Sequence, residues 1–210
     1  MIKLFISPLN IILITSAAIL GLGMIFLLIF IPCRKMWIKK HFEQHAFKKI
    51  YSIAFDNDYY LINNFTLKDD NSLNRLIDHI LFGEKYIYII NDYFYEGHIS
   101  GKGEDKSLIH LSKSGNKKYI DNPFIYTDKL INRLSLLTGI DRSMMIGIIL
   151  FSDDCKIYVD SSSKQIYITN RKYLKLLIKK IESRPLGKIN ASQLDSAVKA
   201  IYNIKKKQVK

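Results

Sequence analysis

His41 and His45 stand four residues apart in a stretch with helical apolar spacing, which can bring two imidazoles to one zinc ion. Catalytic zinc takes three protein ligands, and no third is apparent here. Glu43 follows His41 by two residues, about 200° round a helix, so this is not the H-E-x-x-H arrangement. Zinc-protease chemistry is therefore not expected. Asp78 lies inside the apolar run 76–82. A carboxylate in such a run needs a partner, because burying it alone is costly. That partner could be structural or chemical. Glu43 falls at the margin of an apolar helical stripe and could point inward or into solvent. Tyr86, Tyr88, Tyr93 and Tyr95 could stack on bases or pack in a core. Asp153 and Asp154 are expected in a hairpin loop. Cys33 and Cys155 form no C-x-x-C pair and read as free thiols.

The elements that must position these residues follow from periodicity. Ile38, Phe42, Ala46, Ile50 and Ala54 repeat every four residues, which predicts an amphipathic helix over 36–55. The period then changes to two. Strands are predicted over 59–62, 74–82 and 86–91, with a hairpin at Gly83-Glu84, and again over 107–111. Residues 97–103 read as a turn-rich connection. Asn122 and Pro123 predict a helix start, as N-cap and first helical residue, and Gly139 its end. The apolar run 145–151 suits a buried strand. Segments 155–159 and 165–169 read as a hairpin around Ser161-Ser162-Ser163. Asn170 is expected to cap a basic helix running to Ser183, before Pro185. A last helix is predicted over 191–204, with a Lys-rich tail. The order implies a mixed α/β or α+β domain.

Several of these residues together resemble a known family. Residues 40–182, about two thirds of the chain, resemble a NERD domain, the nuclease-related domain of the restriction-endonuclease-like superfamily. Glu43 with Ala46 and Ile50 resembles the family's first helix, which carries an acid. Leu76-Ile77-Asp78-His79-Ile80 resembles its I-D-H strand. Gly97-His98-Ile99-Ser100-Gly101 resembles its G-x-I-x-G turn. Asp121-Asn122-Pro123-Phe124 resembles its N-P helix start, and Ile148-Ile149-Leu150-Phe151 its late apolar strand.

The resemblance implies an α+β mixed sheet flanked by helices and Mg²⁺-assisted cleavage of phosphodiesters. Carboxylates would hold the metal through oxygen, and the metal would polarise the phosphate. On this mapping Asp78 and Glu43 are the catalytic and metal-binding remnants. The family's Glu and Lys of E-x-K fall on Asn91 and Tyr93. Asn offers a neutral oxygen, and Tyr offers no cation. One negative ligand and one positive charge are lost together. Asp92 and Glu96 have the wrong strand parity to replace them. Lys85 lies six residues from Asn91, roughly 20 Å along a strand. His98 is the remaining substitute.

The expected function is a catalytically degenerate domain that acts in binding or scaffolding, with nucleic acid as one ligand. The alternatives are an active Mg²⁺-dependent nuclease with a rearranged site, or a membrane-surface module unrelated to nucleases.

Length and composition set the frame. A chain of 210 residues with 48% hydrophobic content suits one domain plus a short segment. Residues 10–33 carry no formal charge, long enough for a transmembrane helix. Basic residues follow it and only Lys3 precedes it, which predicts a single-pass membrane protein with its C-terminal domain cytoplasmic. The expected organisation is an extracytoplasmic segment at 1–9, the span at 10–33, the NERD-like domain at 34–182, and a helix with a basic tail at 183–210. The net charge of +13 is uneven. Residues 34–55 have six basic residues against one acidic, and residues 183–210 seven against one. Residues 56–182 have 18 against 17, nearly neutral. That placement predicts attraction to an anionic lipid surface more simply than to nucleic acid.

Overall fold

Two runs without polar alternation, Ile87–Tyr93 and Met145–Phe151, form the centre of the fold. Runs of this kind are buried on both faces and pair in parallel. They do so here, from Ile87 opposite Met145 to Tyr93 opposite Phe151. The structure is a computed structural model that describes residues 8–68 and 74–208. The side chains at 8–14, 18, 27, 28, 31, 32, 35, 68, 74 and 205–208 lie outside the description, as do residues 209 and 210 of the expected tail, whereas residues 205–208 continue the last helix.

The helices are α1 (Pro8–Asp56), α2 (Pro123–Thr138), α3 (Leu174–Glu182) and α4 (Ala191–Gln208). The strands are β1 (Tyr60–Lys68), β2 (Asn74–Phe82), β3 (Ile87–Tyr93), β4 (Gly97–Lys102) and β5 (Ser107–Leu111). They continue with β6 (Lys117–Asp121), β7 (Met145–Phe151), β8 (Cys155–Asp160) and β9 (Ile166–Asn170). The chain divides into two compact units, Met1–Gln44 and His45–Lys210, and α1 contributes to both.

Within the first unit, Phe26 stacks on Phe30 at 5.3 Å and Trp37 on His41 at 5.2 Å. Among the described residues, no helix is long and apolar enough to cross a membrane. This corrects the transmembrane helix expected over 10–33 and the single-pass membrane localisation drawn from it. A span needs about 20 consecutive apolar residues. The described part of α1 does not supply them, and residues 10–14, 18, 27, 28, 31 and 32 of that stretch have no described side chains.

The second unit holds two sheets where one mixed sheet was expected. The first has the order β1-β2-β3-β7-β9, and the second β6-β5-β4-β8. β3 and β7 continue into β4 and β8 without slipping. Tyr93 faces Phe151 in the first sheet, and Gly97 faces Cys155 in the second, at the same offset. Hydrogen bonds from Ser152 N to Tyr93 O (3.2 Å) and from Gly97 N to Asp154 O (3.3 Å) hold the crossing together. Gly97 has φ +101°, and a Cβ there would meet the Leu111 carbonyl oxygen at 2.2 Å.

The segment read as a turn at 97–103 is thus a strand, and Lys117–Asp121 forms a further one. Segments 155–159 and 165–169 are not a hairpin. β8 joins β4, and β9 joins β7 in the other sheet. Asn170 makes no helix cap. Its side-chain amide donates to Ser152 O and Cys155 O, and a 3₁₀ turn, Arg171–Tyr173, precedes α3.

α2 forms where its caps predict. Asn122 Oδ1 accepts from Phe124 N at 3.0 Å, and Gly139 closes the helix at φ +70°. Leu130, Ile131 and Leu134 pack with Ile87, Ile89 and Ile149 of the first sheet in one buried core. Gly147 lets the helix approach closely, since a Cβ there would lie 2.4 Å from Thr127 Cγ2. Ala46, Ile50 and Ile53 of α1 are buried too. Phe47 places its ring 6.4 Å from that of His79 on β2.

Candidate functional site

Asp78 sits where β1 and β2 break their regular alternation. Asn63 pairs with His79 and Phe65 with Ile77, and Asn64 between them has φ +52°. Such a conformation is rare for a residue with a Cβ, though Asn tolerates it best. The β2–β3 pairing runs from Phe82 opposite Ile87 to His79 opposite Ile90. One step further the ladder is replaced by a side chain. Asp78 Oδ2 accepts the backbone N–H of Asp92 at 2.8 Å and the Asn91 side-chain amide at 3.3 Å. Asn91 also donates to Leu76 O at 3.0 Å.

Asp78 and Asn91 are thus neighbours on adjacent strands. Partial burial pushes the Asp78 carboxyl above the usual aspartate range, and the Asp92 carboxylate adds to this, against the hydrogen bond from Asp92 N–H. Asn91 is buried, and its Oδ1 has no hydrogen-bond partner. Tyr93 packs its ring 5.7 Å from that of Phe151. Burial first, then the Tyr126 phenol and the Asp78 carboxylate, raise its phenol well above the ordinary range, so it stays neutral. Tyr126 donates to Leu76 O at 3.2 Å and carries the Arg75 guanidinium over its ring at 5.8 Å.

The opposite face of the same two strands holds a second polar group. His79 Nδ1 lies 2.6 Å from Asn63 Oδ1, and His79 Nε2 lies 3.2 Å from Asp92 Oδ2. The His79 and Asp92 side chains are only 7% and 5% exposed. Asp92 Oδ1 is buried without a partner.

The other candidates make contacts of their own. Glu43 belongs to the first unit, where it is exposed and pairs with Lys39 at 3.7 Å. Lys85 donates to the Arg184 carbonyl oxygen at 2.5 Å. His98 stacks against Tyr158 at 5.8 Å in the second sheet. Tyr86 and Tyr88 are buried, and Tyr95 packs on His110 at 4.9 Å. These three are packing residues. Asp153 pairs with Arg171 in the turn after β7.

The residues do not fit a catalytic Mg²⁺ ion. Among the described residues, no three His, Cys, Asp or Glu side chains are grouped to hold a metal. Mg²⁺ takes hard oxygen ligands, commonly one or two carboxylates with a substrate phosphate. Asp78 supplies one carboxylate, already turned to a backbone N–H, while Asp92 turns to the other face. Sequence reasoning missed the His79–Asn63 contact and Tyr126. Periodicity gives the face of a side chain but not its cross-strand neighbour.

A family model for the nuclease-related domain, NERD, matches residues 38–152. No curated protein matches the chain. A crystal structure of a protein of unknown function, AF1548, aligns over 79% of this chain and 96% of its own length. The identity is 11% and the TM-score 0.37, too low to carry an argument.

Proposed function

The chain belongs to the NERD, or nuclease-related domain, family, and from that premise we propose a nuclease-like scaffold that does not cleave and acts by binding nucleic acid. One observation carries this reading. The strand acid that a nuclease would turn toward a metal, Asp78, instead accepts hydrogen bonds from Asp92 N–H and the Asn91 amide. Asn91 and the neutral Tyr93 fill the two positions where the resemblance implies a carboxylate and a cation. A phosphodiester approaching this corner would meet the Asp78 carboxyl, with the neutral Tyr93 in place of a lysine that would offset it.

The test is cleavage of labelled single- and double-stranded DNA and RNA in Mg²⁺ or Mn²⁺, with Asp78→Ala as control. The expected result is intact substrate in both samples. Cleavage that disappears in Asp78→Ala would overturn the reading. The pair Asn91→Glu and Tyr93→Lys tests the mapping from the other side, since restored cleavage would show that only those two groups were lacking.

A further inference from the structure

The exposed face of the second sheet is ordered in cross-strand rows. Lys117, Leu111, His98 and Lys156 form one row across β6, β5, β4 and β8. Tyr119, Ile109, Ser100 and Tyr158 form the next. Beyond them Asp121 pairs with Ser107, and Lys102 with Asp160. Tyr119 is 69% exposed and Tyr158 60%. The opposite side of the sheet faces inward through Ile99, Leu108 and Cys155, all buried. Two aromatic rings thus stand in solvent at opposite edges of one rigid sheet. They are about 14 Å apart, counting three strand spacings. The half-buried Ile109 lies between them.

We propose that this face binds single-stranded nucleic acid, which rests on the nucleic-acid reading above and moves the binding surface away from the Asp78 corner. Bases stack on Tyr119 and Tyr158, because every base offers an aromatic face to such a platform. Four-stranded sheets that present aromatic side chains to solvent hold unpaired bases in this way. The phosphates run along the first row, where Lys117 and Lys156 supply charge. That row lies two residues, about 7 Å, from the tyrosines. Lys117 Nζ sits over the Tyr119 ring, 5.9 Å from its centre, and leaves the other face of the ring for a base. His98 stacks against Tyr158 with an interplanar angle of 15° and holds that ring in place.

Asp121 and Asp160 lie in the far row, so the face is positive at one end and acidic at the other. A strand is thereby given one preferred side for its backbone. A second copy of the chain suits the face poorly. Its exposed side chains include Lys117, Lys156, Lys102, Asp121 and Asp160, and the cores of protein interfaces are depleted in charged residues.

The test uses the 210-residue chain and fluorescein-labelled 12-nucleotide oligo-U and oligo-dT, with a 12-base-pair duplex as comparison, read by anisotropy between 50 and 200 mM salt. Single strands are expected to bind more tightly than the duplex. Tyr119→Ala and Tyr158→Ala should each weaken binding roughly tenfold, while Tyr119→Phe should retain it. Lys117→Ala and Lys156→Ala should each lower the log–log salt slope by about 0.7. Circular dichroism should show the four sheet positions' variants folded, since Tyr119, Tyr158, Lys117 and Lys156 are exposed. Binding that is unchanged in the sheet variants but lost in Asp78→Ala would overturn this surface and leave the nucleic-acid reading standing. No binding of any oligonucleotide would overturn both. A dimer of the chain that dissociates in Tyr119→Ala, seen by sedimentation velocity, would assign the face to a second copy and overturn the proposal.

Discussion

Asp78 and Asp92 are joined by one hydrogen bond, in which the Asp78 carboxylate accepts the backbone N–H of Asp92 at 2.8 Å. The two acids stand on adjacent strands and turn to opposite faces of the sheet. The carboxylate takes the position of a β2 carbonyl at the point where the β2–β3 ladder ends. This makes Asp78 a residue that shapes the sheet.

Asp78→Ala is therefore expected to lower stability by roughly 1–3 kcal/mol, the range for leaving a buried donor unpaired. Asp78→Asn keeps a carbonyl oxygen for the Asp92 N–H and should lose less. Urea unfolding of the three proteins checks the order. A change in Asp78→Ala smaller than in Asp78→Asn would refute it.

Gly147→Ala tests the approach of α2 to β7. The added Cβ would lie 2.4 Å from Thr127 Cγ2, at a fully buried position. Overpacking of this kind costs about 1–3 kcal/mol. Thr127→Ser removes that methyl, so the double variant should regain much of the loss. Thermal melts of the single and double variants measure the coupling.

Glu182 introduces a pH dependence. Its Oε1 accepts from the Tyr88 hydroxyl at 2.7 Å, and its Oε2 from Lys85 N at 3.1 Å. Burial raises its carboxyl above the usual glutamate range, and those two bonds oppose the rise. A carboxyl whose folded pKa is raised binds its proton more readily in the folded chain. Its contribution is thus fully present below the unfolded pKa and lost as pH rises through the folded one. Stability measured from pH 4 upward should show this decline in the wild type, and a weaker one in Glu182→Gln.

The two thiols should differ in reactivity. Cys155 is buried, and its thiol is pushed up to about 11, whereas Cys33 is exposed. The thiolate is the reactive form. At pH 8 an alkylating reagent should modify Cys33 quickly and Cys155 only after denaturant is added. Mass spectrometry of the labelled peptides distinguishes them, and early labelling at Cys155 would contradict its burial.

The sequence alone determined the elements whose signals are local. Asn122, Pro123 and Gly139 bound α2 because each satisfies or ends the helical hydrogen bonding by its own chemistry. The run Met145–Phe151 announced a buried strand, because every residue in it is apolar or glycine. The hairpin predicted at Gly83-Glu84 set Asp78 and Asn91 on neighbouring strands. What the tertiary structure decided was partnership. β4 carries two glycines and β6 three charges in five residues, so neither reads as a strand until β5 lies between them. β8 and β9 follow one another in the chain, yet each finds its parallel partner in a different sheet. Whether Asp78 serves a metal or a backbone N–H depends on atoms fourteen residues away in the chain. A residue's type sets which bonds it can make, and only the assembled neighbours select among them.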